Sequence, residues 1–169
     1  NVDQEKAKQQ FEMLMQFAKQ EKLEHYEISN FAKKGFMAKH NSSYWKGDSY
    51  LGLGPSAHSF DHNKRQWNVA NNSRYIKAIN QGVPFIEQEI LSEKEQFNEY
   101  IMVSLRTIWG ANLDLIELRF SAFLVDYFNF SVRKWTKSGE IEQNGNIFKL
   151  TQKGKILADR ITSDLFYVD

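Results

Sequence analysis

The stretch Ile141-Glu142-Gln143-Asn144-Gly145-Asn146-Ile147-Phe148 decides the reading of the C-terminal half. Two short apolar-polar runs flank Asn-Gly, the pair that most readily supplies two positive φ angles. The stretch therefore predicts a hairpin closed by a type I′ turn at Asn144-Gly145. Upstream, the spacing of Phe123, Tyr127, Phe128 and Trp135 predicts a helix from Ser121 to Ser138 that stops at Gly139. A short helix around Asp114 to Arg119 precedes it. Earlier still, Ser92-Glu93-Lys94-Glu95 reads as a capping box: the serine accepts from the N3 amide and Glu95 reaches back. The helix it opens uses Phe97, Ile101, Leu105 and Ile108 and stops at Gly110. Beyond the hairpin, a last helix from about Thr151 to Phe166 turns Ile156, Leu157, Ile161 and Leu165 inward. Three helices, a hairpin and a final helix make a winged-helix-like unit.

Further out, Asp3 can cap a helix whose apolar positions are Ala7, Phe11, Leu14, Met15 and Ala18. Glu24 to Ser29 alternates and reads as a strand. A helix followed by a strand is a piece of an α/β fold. Asn30 to Arg65 reads as a long segment, rich in polar and small residues, with one short strand at Tyr50 to Leu53. Loops that long are functional or disordered, and the aromatics here argue for order. Asn71 or Asn72 opens a helix over Arg74 to Gln81, with Gly82 as its left-handed cap and Pro84 soon after. The chain divides near Val83 to Glu89, giving units 1–86 and 87–169.

The 169 residues carry 22 basic and 21 acidic side chains, so no strong global field selects nucleic acid or an anionic membrane. From Phe120 to Asp169 the seven basic and six acidic residues also nearly balance. A DNA reader needs a clearer basic face. No nucleic-acid partner is expected. There is no cysteine, which removes disulfides, thiolate metal sites and cysteine nucleophiles. No run approaches the length of a transmembrane span, which needs about 20 apolar residues. A cytoplasmic protein, or a piece of one, is expected.

Two patches carry chemistry. The first is His40-Asn41-Ser42-Ser43-Tyr44-Trp45 and the second is Gly52-Leu53-Gly54-Pro55-Ser56-Ala57-His58-Ser59. A neutral imidazole is a common metal ligand. Flat aromatics such as Tyr44 and Trp45 can pack on a flat ligand, and Asn41 can orient the imidazole or bond a carboxylate. Equally, His40 can cap a loop while Tyr44 and Trp45 serve a core. Gly52 and Gly54 let backbone amides approach an anion, though a tight turn needs the same residues. Arg65 with Asn68 can meet a carboxylate, or Arg65 can make a structural ion pair. His58 and His62 stand four apart without a third ligand, so a zinc site is not expected. Surface positions are expected for His25 and His62.

Tyr26-Glu27-Ile28-Ser29-Asn30-Phe31-Ala32, then H-N-x-x-Y-W from His40, then G-x-G-P-S-A-H-S from Gly52, resemble one family in order and spacing. The family is the oxygen-independent coproporphyrinogen III oxidase-like radical SAM proteins. The H-N-x-x-Y-W element resembles their heme-chaperone branch. Downstream, Arg65 and Asn68, Tyr75, Gly82, Pro84, Leu105-Arg106, Gly110 and Leu150-Thr151-x-x-Gly154 agree with it, so the resemblance covers nearly the whole chain.

The resemblance implies an α+β chain: the C-terminal remnant of a radical SAM α/β barrel followed by a winged-helix-like helical domain. It implies heme contact by His40, Asn41, Tyr44, Trp45 and Arg65, with His40 on the iron. Gly52, Gly54, Ala57 and His58 would border an S-adenosylmethionine cavity. The [4Fe–4S] cluster and S-adenosylmethionine belong to the intact protein, because the family's cysteine loop is missing here. The expected partners are heme or porphyrin, the missing N-terminal half of the barrel, and an acceptor hemoprotein. This piece is expected to bind rather than catalyse, with no catalytic residue of its own. The alternative is the oxidase of porphyrin biosynthesis. An opened barrel exposes apolar surface, so self-association is also expected.

Overall fold

The computed structural model describes residues 3–168. Helix α1, Gln4–Gln20, starts where Asp3 accepts the Lys6 amide at 3.0 Å. Met15 and Ala18 bury its inner stripe, but Leu14, which the spacing puts inward, is exposed beside Met13 and Phe17. Strand β1, Glu24–Glu27, pairs antiparallel with β2, Asn30–Ala32. The strand predicted through Ser29 ends at Glu27 because the Glu27 carboxylate accepts the Ser29 amide and the Asn30 side-chain amide, which turns the chain.

The segment over residues 30–65 holds more regular structure than the one short strand its sequence predicts. It contains β2, helix α2 (Lys39–Lys46), strand β3 (His58–Asp61) and the start of β4 (Lys64–Asn68). The strand expected at Tyr50 to Leu53 reduces to a single bridge between Tyr50 and Phe60. Gly52 passes so close to β3 that a Cβ would sit 2.1 Å from the His58 carbonyl oxygen. Strand β4 pairs antiparallel with β3 and with β5, Ile86–Ile90. Helix α3, Asn72–Gln81, is capped by Asn71 and closed by left-handed Gly82, as its sequence predicts. Every strand pair among the described residues is antiparallel. The helix-then-strand unit is α1 followed by β1.

The C-terminal part is winged-helix-like and the chain as a whole is α+β. Its order is α4 (Glu93–Leu105), β6 (Ala111–Asn112), α5 (Leu113–Arg119), α6 (Ala122–Lys137), β7 (Ile141–Asn144), β8 (Ile147–Leu150), α7 (Gln152–Ile156) and α8 (Ala158–Leu165). The sheet runs β6-β8-β7. Both arms of the capping box at Ser92 and Glu95 form. Phe97, Ile101, Phe128, Ile161 and Leu165 are sealed in one core.

Three local expectations change. Helix α4 ends at Leu105, short of Ile108, because the next residues pair elsewhere: Thr107 bridges Glu27 and the Ile108 amide donates to the Tyr26 carbonyl. The hairpin register joins Asn144 to Ile147, so the turn residues are Gly145-Asn146. Only Gly145 has positive φ, which is the type II′ pattern instead of type I′. The last helix breaks at Leu157 into α7 and α8, with φ −109° at the junction.

Candidate functional site

H-N-x-x-Y-W folds as α2. Its side chains thus follow helical spacing, and His40 and Tyr44 lie one turn apart on the same face. The Tyr44 hydroxyl sits 3.2 Å from His40 Nε2 and donates when that nitrogen carries no proton. The two rings meet edge-on at 4.8 Å between centroids. Tyr44 then meets Tyr50 edge-on at 4.6 Å, and Tyr50 leans on Phe60 of β3. His40 is exposed, Asn41 half-buried and Trp45 half-buried. The Trp45 Nε1 is buried without an acceptor among the described residues.

Trp45 is fixed from behind. The Arg106 guanidinium stands 5.9 Å from its ring centroid. Arg106 also donates from Nε to the Glu27 carboxylate at 3.2 Å and pairs through Nη1 with Asp159 at 2.8 Å. One arginine thus ties the β1–β2 turn, the end of α4, helix α8 and the indole of α2 together. Glu27 and Arg106 both lie in motifs quoted from the sequence, but their pairing across the fold was not readable there.

Arg65 does not stand open for a carboxylate ligand. Its guanidinium pairs with Glu99 of α4 at 3.0 Å, the structural alternative named above. Asn68 is buried, and its side-chain amide donates to the carbonyls of Gly52 at 3.2 Å and Gly54 at 2.8 Å. The glycine amides are also engaged. The Gly52 amide donates to the Ser59 hydroxyl at 3.0 Å and the Gly54 amide to the Tyr75 hydroxyl at 3.3 Å. These two amides hold the loop itself and leave no open anion cradle. Ala57 accepts the Asn68 amide through its carbonyl, and His58 is exposed on β3 with its ring 6.3 Å from that of Trp67.

His62 is exposed as expected. His25 departs from the expected surface position. Its ring stacks on Phe31 at 4.1 Å and meets Phe11 edge-on, and burial lowers its pKa below the ordinary imidazole value. Among the described residues no cluster of three metal-ligating side chains forms, His58 and His62 included.

A cavity of about 210 Å³ opens behind Tyr44, between α2, β3 and α4. Tyr44, Trp45, Tyr50, Phe60 and Tyr100 give it aromatic walls, and Lys46, Glu99 and Arg119 bring charge. Burial raises the pKa of the Tyr50 and Tyr100 phenols, which keeps both protonated. Lys46 and Arg119 were not singled out on the sequence. Each sits alone in its segment, and only the fold brings Arg119 of α5 to the α2 helix.

Comparison with known proteins returns the class to which the motifs point. Residues 91–157 match the family model of the HemN C-terminal domain. At the level of individual proteins, the chain is 29% identical over 159 residues to the heme chaperone HemW of Bacillus subtilis. It is 26% identical over 151 residues to the protein of the same name from Lactococcus lactis. These alignments take in 94% and 89% of this chain but 42% and 40% of the relatives, so the chain spans about two fifths of their length. The fold also matches the radical SAM enzyme coproporphyrinogen III oxidase (HemN) of Escherichia coli. There the TM-score is 0.68 at 16% identity, over 92% of this chain and 39% of that one. No helix among the described residues is long and apolar enough to cross a membrane.

Proposed function

We propose that this chain is the heme-carrying C-terminal part of a radical SAM heme chaperone. Heme is its cargo, with His40 on the iron and Tyr44 and Trp45 against the macrocycle. The observation that carries this reading is α2: the exposed His40 imidazole and Tyr44 share one face of the helix, and Tyr44 continues into the Tyr50 and Phe60 rings, in a chain similar to named heme chaperones. With Tyr44 at Nε2, Nδ1 is the open nitrogen of His40; displacement of the phenol would open Nε2 instead. Asn41, one position along the helix, orients the imidazole or meets a propionate, and Arg65 can reach a propionate only by leaving Glu99.

The residues present do not fit an iron–sulfur cluster, because the ligands it needs are thiolates and the chain has no cysteine. We assign the cluster and S-adenosylmethionine to the longer protein, with Ala57 and His58 at the rim of that cavity. Gly52 and Gly54 act there through the shape of the loop. The division 1–86 and 87–169, a cytoplasmic setting and an acceptor hemoprotein complete the reading. The oxidase reading has less support, because the match to that enzyme is a likeness of fold at 16% identity.

Titration of the chain with iron protoporphyrin IX, followed at the Soret band, tests this. Saturable binding with a ligand-field shift that His40→Ala removes is expected. A spectrum indifferent to His40→Ala overturns the iron assignment.

A further inference from the structure

We propose that the cavity behind α2 is a carboxylate subsite that seats a propionate arm of the porphyrin, with the Arg119 guanidinium as its partner. The proposal rests on the heme reading for the identity of the porphyrin, but its geometry is independent of His40.

Size limits what can enter. At about 210 Å³ the cavity lies below the roughly 300–1,000 Å³ of pockets that enclose a whole drug-sized ligand. It admits an arm of a larger molecule whose body rests outside. Tyr44 marks where that body would lie, since it both touches His40 and lines the cavity.

Charge selects which arm enters. Glu99 is neutralised by Arg65 at 3.0 Å. The two cations of the cavity have no carboxylate partner among the described residues. Instead both are held over aromatic rings. Arg119 stands 5.5 Å from the centroid of Tyr100 and 5.4 Å from that of Phe120, and Lys46 stands 5.3 Å from that of Trp109. Stacking fixes a guanidinium without using its N–H groups, so its fork stays open for a carboxylate. Beside the paired Glu99, the wall offers the protonated Tyr50 phenol as a donor, while the Tyr100 hydroxyl already donates to the Asn112 carbonyl. Trp45, also in the wall, keeps a buried indole N–H without an acceptor. A carboxylate is the ligand chemistry that answers the two cations, the Tyr50 hydroxyl and the Trp45 indole together.

This assignment moves the propionate contact from Arg65, which is committed to Glu99, to Arg119. Arg65 was the arginine closest in sequence to the motifs. Arg119 reaches the same region through the packing of α5 on the C-terminal core.

The test compares protoporphyrin IX with its dimethyl ester, each with and without iron, on the wild-type chain, Arg119→Gln, Arg119→Lys and His40→Ala. Affinity is read from Soret absorbance, and the unfolding midpoint of each variant confirms folding. The subsite predicts that Arg119→Gln weakens the free acid about ten- to hundredfold, the range of a charge-assisted hydrogen bond, with Arg119→Lys in between. The ester should bind the wild type and Arg119→Gln equally. Loss of acid and ester alike, or of neither, overturns the proposal, as does failure of the wild type to bind the metal-free acid. Metal-free porphyrin has no iron to ligate. If His40→Ala leaves the heme spectrum unchanged, while Arg119 and esterification still govern metal-free binding, the iron assignment falls and the subsite stands.

Discussion

Arg106 places both Nε and Nη2 3.2 Å from one oxygen of Glu27, whose carboxylate is almost wholly removed from solvent. The other oxygen of Glu27 accepts the Ser29 amide and the Asn30 side-chain amide. A buried carboxylate this fully bonded fixes the β1–β2 turn against the end of α4. Through Arg106 it also fixes the indole of Trp45.

Arg106→Met should therefore destabilise the chain by about 3–5 kcal/mol, because it leaves a buried charge unpaired. Urea unfolding measures this. Adding Glu27→Gln should recover a good part of the loss. Strictly additive losses in the double variant would mean that the pair is not coupled.

Gly52→Ala should cost about 1–3 kcal/mol, the usual penalty for forcing extra atoms into a packed site. The new methyl carbon would stand 2.1 Å from the His58 carbonyl oxygen, so β3 or the loop must move. Thermal unfolding reads the loss, and amide exchange at β3 shows where it falls. Unchanged stability would mean that the loop is free to shift.

Acid should weaken the fold before the carboxylates titrate. Burial beside Phe11 and Phe31 lowers the folded-state pKa of His25 from its ordinary 6.5, and the carbonyl of Ile28 only partly opposes this. The unfolded chain then binds more protons than the folded one between 6.5 and the lowered value. Stability is full above pH 6.5 and falls as pH drops through that window. Urea midpoints measured across pH should show this decline, and His25→Gln should flatten it. The same slope in His25→Gln would assign the decline to another group.

Duplex DNA should bind no better than non-specifically, with a Kd of about 10⁻⁴–10⁻⁶ M at physiological salt, despite the winged-helix shape. Helix α6 exposes Phe123 and Phe130, and charges balance across the C-terminal half. Nanomolar, sequence-dependent binding in an anisotropy titration would contradict this.

Phe36, Leu51 and Leu53 are 80%, 74% and 82% exposed. Apolar surface of that kind favours association. Light scattering should show a mean mass that rises with concentration, and Leu51→Ser with Leu53→Ser should lower it. A monomer mass at every concentration would contradict this.

Local chemistry made much of the C-terminal half readable. The Ser92 and Glu95 box, the Asn71 cap and the left-handed Gly82 depend on neighbours in sequence, and all form as predicted. Helix α2 was not readable. Ala38 offers it no side-chain cap, and Asn41, Ser42 and Ser43 favour turns over helices. Tertiary packing makes it helical, with Tyr44 on Tyr50 and Trp45 under Arg106. The type I′ turn failed because strand register, which depends on both strands, shifted the turn by one residue. His40, Tyr44 and Trp45 were nameable as candidates, whereas the engagement of Arg65 by Glu99 and the approach of Arg119 are products of folding at a distance.

Because H-N-x-x-Y-W is wound as a helix, its two unspecified positions act as an angular spacer. Each residue turns the chain by about 100°, so one inserted residue between His40 and Tyr44 would swing the phenol off the imidazole without changing any named letter. The motif should tolerate many side chains at Ser43 and no change in length.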